Sequence, residues 1–247
     1  MMYGAINTIS SLQLSLANLK FDIFPNTLIN ATRLSTLNKL KGLLQKLIRI
    51  NRRPYFGFVQ GHSHLSNEQV NKLAGLVSVG CSSNNEEFEK EFANYLGLKN
   101  ATSFASGRMG FFALLKSLGV QKGDEVILTG STCAVMANAV MRVEATPVYA
   151  DVSNKTFGTC PESVKNLITR RTKVIVAQHS FGIPCEIEQI VDIANSNEIF
   201  LVEDCALSLD SSINGKLVGS FGDASLFSLD HTKPLNAMIG GIICSNS

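Results

Sequence analysis

From residue 84 onward, short apolar runs alternate with stretches whose apolar positions recur at helical spacing. Asn84 or Asn85 can cap a helix with apolar positions Phe88, Phe92, Tyr95 and Leu96, and Gly97 stops it. A short apolar-leaning run follows at 101–105, then Ser106-Gly107-Arg108 and a helical stretch to Leu118, ended by Gly119. Residues 126–128 read as a buried strand after the Gly123-Asp124 turn, and 134–143 as a helix. A strand at 147–150 precedes a helix at 161–168 that opens with proline in its first turn. Strands at 174–177 and 199–202 flank a helix at 187–194, and strands at 224–228 and 241–244 complete the series. Short apolar strands alternating with helices predict an α/β fold, three layers α/β/α around a mostly parallel sheet. In such sheets ligands bind where strands end and connecting loops begin.

Residues 1–80 show no such alternation, so we place a boundary there: an extension, partly helical and basic, and a large α/β domain over 81–247. Within the extension, residues 37–53 are amphipathic. Leu37, Leu40, Leu43, Leu44, Leu47 and Ile48 recur at helical spacing, while Lys39, Lys41, Lys46, Arg49, Arg52 and Arg53 fill much of the remainder. We read it as a helix with one packed face and one solvated basic face; the alternative is a helix lying on an anionic membrane surface. His62 and His64 would share a face of a strand, but no third ligand stands nearby and structural zinc takes four. No metal site is expected.

Composition narrows the picture. With 22 basic and 20 acidic residues the net charge is +2, which demands neither nucleic acid nor an acidic partner. Six cysteines (Cys81, Cys133, Cys160, Cys185, Cys205 and Cys244) form no CxxC pair, which suits reduced thiols in the cytoplasm. No apolar run approaches the ~20 residues that span a bilayer, and the N-terminus lacks the pattern of a signal peptide.

Four junctions carry candidate chemistry. Gly107 lets backbone approach a ligand closely, and the helix that begins there offers free N–H groups to an anion; a plain turn would look the same. The strand leading to Glu203-Asp204 delivers two carboxylates to its end, able to bind metal, take a proton or pair with a cationic ring nitrogen, or simply to cap a helix. Lys233, just past the strand ending at Ser228, can be desolvated and so freed as a nucleophilic amine; otherwise it is a surface lysine. His179, in Gln178-His179-Ser180-Phe181-Gly182, is either a base or cofactor contact or a hydrogen-bonded loop histidine.

Residues 85–246 resemble the DegT/StrS family. The likeness rests on an ordered set: Gly123-Asp124-Glu125-Val126-Ile127, Ala137-Asn138-Ala139-Val140, Pro147-Val148-Tyr149-Ala150-Asp151, Thr169-Arg170-Arg171-Thr172-Lys173-Val174-Ile175, the His179 to Gly182 run, Val202-Glu203-Asp204, Gly222-Asp223-Ala224, Phe227-Ser228 and Gly240-Gly241. The resemblance implies the large domain of a fold type I enzyme using pyridoxal 5'-phosphate (PLP). The reaction would move an amino group from an amino acid, expected to be glutamate, to a nucleotide-linked keto-sugar in polysaccharide biosynthesis. It makes Lys233 the Schiff-base lysine and Asp204 the partner of the pyridine nitrogen. Ser228, Gly107 and Arg108 become the phosphate anchors, and His179 a cofactor contact. It also implies a homodimer. Cys133 takes the cofactor-facing place where the family usually stacks an aromatic ring, Leu207 stands where a glutamine usually lies, and Met238-Ile239 where Gly-Glu is common. The sequence ends at Ser247, just after the double glycine, where the family continues into a smaller C-terminal domain; a truncated chain is the expectation. A PLP-dependent sugar dehydratase, which would carry histidine in place of the lysine, and a catalytically degenerate binding domain are the competing readings.

Overall fold

The computed structural model describes residues 85–246, together with helical positions at 68, 71, 72 and 75. The basic stretch 37–53, His62, His64 and Cys81 lie outside the described residues.

Fourteen elements follow one another from residue 85. They are α1 (Asn85–Leu96), β1 (Asn100–Phe104), α2 (Gly107–Ser117), β2 (Glu125–Thr129), α3 (Ala134–Arg142), β3 (Thr146–Ala150) and α4 (Pro161–Leu167). Then come β4 (Thr172–Gln178), α5 (Ile187–Ser196), β5 (Phe200–Asp204), β6 (Ser212–Ile213), β7 (Lys216–Leu217), β8 (Ala224–Ser228) and β9 (Gly241–Ser245). Seven strands form one sheet in the order β1-β9-β8-β5-β4-β2-β3. Only β9 runs against the others: it is antiparallel to both β1 and β8, while β8, β5, β4, β2 and β3 pair in parallel.

Alternation along the strands builds the three layers. Val126 and Leu128 of β2, Val174 and Val176 of β4, Val202 of β5 and Leu226 of β8 face Phe111 and Leu115 of α2 and Met136 and Val140 of α3. Their neighbours Ile127, Ile175, Ala177 and Leu201 face Val164 of α4 and Ile187 and Ile190 of α5. Phe227, Ile242 and Cys244 meet Phe92 and Leu96 of α1. Each fully buried aliphatic or aromatic side chain contributes roughly 1.5–3 kcal/mol, so the two faces of β2, β4 and β5 fix the register of the sheet. The expected α/β/α architecture is therefore the observed one.

One local expectation needs correction. β5 extends to Asp204 rather than ending at residue 202, so both carboxylates are strand residues in register with Ala177 and Gln178 of β4. An acid tolerates that burial only when hydrogen bonds compensate it, and Glu203 receives several, as described below. The β6–β7 hairpin adds to the expected elements, and Asn214-Gly215 is its two-residue turn signal; both residues have positive φ, 51° and 81°, as a type I′ turn requires. No helix among the described residues is long and apolar enough to cross a membrane.

Candidate functional site

Because β1, β2, β4, β5 and β8 run the same way, their C-terminal ends share one edge of the sheet. β9 begins at that edge, with Gly241 paired to Phe104 on one side and Ser228 on the other. This seat admits only glycine. A Cβ on Gly241 would lie 2.2 Å from the Gly107 nitrogen and 2.4 Å from its Cα. The second glycine of Gly240-Gly241 thus lets β9 press directly on the turn that starts α2. Ser106 has extended backbone and its carbonyl accepts from the N–H groups of Met109 and Gly110. The N–H groups of Gly107 and Arg108, in the first turn, have no acceptor within the helix and remain available to an anion.

A cavity of about 530 Å³ opens at this edge. Its wall includes Gly107, Arg108, Cys133, Asp204, Ser228 and Lys233. Six of the seven residues proposed from sequence thus converge on one space from four separate segments. Asp230, Thr232 and Ile239, not singled out from sequence, share the wall.

Asp204 is 6% exposed and its Oδ1 accepts one hydrogen bond, 3.0 Å from the Ala206 N–H. Burial pushes its pKa up; that N–H, Lys233 and His179 only partly offset the effect. A carboxyl in this condition gains most from a cationic partner brought into the cavity. Lys233 sits on a loop closed at its neck by Leu229 N–H to the Gly240 carbonyl (3.0 Å) and Ala237 N–H to the Leu229 carbonyl (3.0 Å). Inside this loop, Asp230 Oδ1 accepts from the Thr232 N–H (3.1 Å) and hydroxyl (2.9 Å), and the Lys233 N–H donates to the Asp230 carbonyl at 2.9 Å. Desolvation alone would raise the Asp230 pKa, but the Thr232 bonds, His231 and Lys233 outweigh it and hold the carboxyl below its usual range. An aspartate two residues before a threonine is a turn signal that sequence reading could have used. Cys133 is exposed at the cap of α3 and makes no side-chain capping bond.

His179 stands apart from the other candidates. It is buried and absent from the cavity wall. Its Nδ1 accepts from the Cys185 N–H at 3.1 Å, which leaves Nε2 protonated to donate to Glu203 Oε2 at 3.0 Å. Both ring nitrogens of the histidine expected to contact a cofactor are thus engaged by protein. Glu203, fully buried, also accepts from the N–H groups of Gly219 (2.8 Å), Phe221 (2.6 Å) and Gly222 (2.7 Å). His179, Glu203 and Cys205 bring possible metal ligands within 4.8 Å of one another. These bonds already occupy the histidine and the carboxylate, and burial raises the Cys205 thiol well above its ordinary pKa.

The DegT/DnrJ/EryC1/StrS aminotransferase family matches residues 65–247. The chain belongs to this family. The GDP-perosamine synthase of Vibrio cholerae is 35% identical over 162 residues, 66% of this chain and 44% of that protein. The enzyme of the same name from Escherichia coli O157:H7 is 37% identical over 161 residues, 65% of this chain and 44% of its own length. Among solved structures, the aminotransferase from Psychrobacter cryohalolentis superposes with a TM-score of 0.73 at 27% identity, covering 78% of this chain and 50% of the other. The chain therefore spans about half the length of the DegT/StrS relatives it matches.

Proposed function

We propose that this chain is the cofactor-holding large domain of a PLP-dependent aminotransferase that moves an amino group from an amino acid, with glutamate as the expected donor, to a nucleotide-linked keto-sugar. The observation that carries the proposal is the meeting of Asp204, Ser228, Lys233 and the Gly107-Arg108 turn on one cavity. These residues fit the cofactor. Free N–H groups at the start of α2, a backbone seat that no Cβ could enter, and the Ser228 hydroxyl suit a phosphate. Asp204, short of hydrogen-bond donors and raised by burial, suits a protonated ring nitrogen. Bound PLP would supply an electron sink for the carbanion formed at the amino-acid carbon. Lys233 would hold the cofactor through its amine and then carry protons, while Asp204 would keep the ring nitrogen charged.

The GDP-perosamine synthases support a nucleotide-sugar substrate. Ile239, on the cavity wall and 71% exposed, supports a second copy covering this edge in a homodimer. Free cysteines at 133, 160, 185, 205 and 244 suit the reducing cytoplasm. We assign the large domain to 81–247 and the preceding residues to an extension. For the dehydratase alternative, His231 would have to stand in for the lysine, but it turns to Asp230 Oδ1 at 3.1 Å and does not line the cavity.

Mixing the purified protein with PLP and recording the visible spectrum tests the reading. A bound-cofactor band is expected in wild type and lost in Lys233→Ala; a band indifferent to that substitution rules the reading out. Amino transfer from glutamate to a keto-sugar nucleotide, followed by mass spectrometry, then tests the substrate class.

A further inference from the structure

Two buried ionisable side chains at the cavity end of the sheet have no part in the chemistry above. Glu203 is the immediate neighbour of Asp204 but projects to the opposite face of β5, where four hydrogen bonds hold it: one from His179 and three from Gly219, Phe221 and Gly222. The three backbone donors belong to the segment that leads into β8, which ends at Ser228 and is followed by the loop bearing Lys233. His179 closes the other side. Its N–H donates to the Asp204 carbonyl at 3.1 Å, and its own carbonyl accepts the Ser208 hydroxyl at 2.9 Å. Among the described residues Asp204 has a single donor at its side chain, the N–H of Ala206. Its aim must therefore come from its backbone, and that backbone is clamped by residues 203 and 179.

We propose that Glu203 and His179 are positioning residues: through four hydrogen bonds on the far side of β5 they fix the carboxylate of Asp204, and the segment leading to Ser228 and Lys233, in register with each other across the cavity. The proposal rests on the cofactor reading above. It assigns the buried pair a role in holding PLP that neither residue performs by touching it.

The test compares Glu203→Gln with wild type, both as the full chain with PLP. The amide keeps the size of the side chain but replaces one acceptor oxygen with a donor. Glu203→Gln should keep the far-ultraviolet circular dichroism of wild type. It should lose intensity in the visible circular-dichroism band, which reports how the bound chromophore is held. Its Kd for PLP should rise about tenfold, corresponding to ~1.4 kcal/mol. A folded variant with the wild-type visible band and a Kd within about twofold overturns the proposal, even if its melting temperature falls, since a purely structural residue behaves that way. If Glu203→Gln does not fold, the wild-type protein decides. The proton on His179 Nε2, hydrogen-bonded to Glu203, is followed by NMR as PLP is added. A shift at saturation is expected, and an unmoved resonance overturns the proposal. Failure of the cofactor reading itself would look different, because wild type would then show no Lys233-dependent band, and both readings would fall.

Discussion

The end of β5 presents two adjacent carboxylates with opposite fates. Glu203 faces one layer, is fully buried, and has both oxygens filled by four donors. Asp204 faces the cavity, is nearly as buried, and has one donor among the described residues. A buried acid with its hydrogen bonds complete is part of the scaffold; one left short is prepared for something that arrives later. The largest effect expected from breaking this contrast is at Glu203. Removing its carboxylate in Glu203→Ala strands three backbone N–H groups and the His179 ring, and should cost about 3–5 kcal/mol in urea denaturation. Asp204→Ala should cost far less in the same measurement, because only the Ala206 N–H loses a partner.

Next in size is the seat of β9. Gly241→Ala would drive a methyl into the Gly107 backbone, which cannot yield as a flexible side chain would. A loss of about 1–3 kcal/mol is expected from such overpacking, with PLP affinity falling as well because the shifted atoms belong to the turn proposed to hold the phosphate. Gly215→Ala offers a control. Its φ is positive, unlike that of Gly241, but nothing lies within 4 Å of the added carbon and it does not line the cavity, so PLP binding should be unchanged.

The contrast also shows what the sequence could disclose. The alternation of apolar strands and helices, with glycine and proline at the joints, was enough for the architecture, because burial on both faces of β2, β4 and β5 leaves an unmistakable apolar run. The convergence of Asp204, Ser228 and Lys233 was legible as well, since strands that run the same way bring their ends to one edge. The orientation of side chains within that edge was not. His179 just follows β4 and Asp204 ends β5, and nothing in either apolar run tells that the ring turns inward to Glu203 while the carboxyl opens to the cavity. That choice depends on the Cys185 N–H and on Gly219, Phe221 and Gly222, which lie 6 to 43 positions from His179. The double glycine is visible in the sequence as a family mark, but its reason, the contact with Gly107, exists only once β9 lies beside β1.

A third prediction separates stability from binding at Asp204. Burial raises its pKa in the folded protein above the ordinary 3.8, so folding favours the protonated form. For such an acid the folded state loses stability as pH rises from the unfolded value through the folded one, the reverse of a salt-bridged carboxylate. Without cofactor, Asp204→Asn should therefore be as stable as wild type in acid and more stable, by ~1 kcal/mol, at neutral pH. Thermal melts at both values check the sign. With PLP present the order should reverse, because only the carboxylate gains from the ring nitrogen.

The smallest expected effect concerns Cys133. The thiol lies on the cavity wall at the start of α3, exposed and without a capping bond, where the family usually offers an aromatic face. Because the Cys133 side chain makes no capping bond, enlarging it should disturb little of the fold. A ring in its place can lie against the cofactor, and such stacking contributes about 0.5–1.5 kcal/mol beyond the area it buries. Cys133→Phe should accordingly tighten PLP binding by roughly two- to threefold, near the lower end of that range, measured by equilibrium titration of the visible band. Tighter binding would mean that the wild-type thiol leaves the cofactor less firmly held than the fold allows. Unchanged binding would place residue 133 off the ring face and leave Asp204 and the Gly107 turn as the main determinants of affinity.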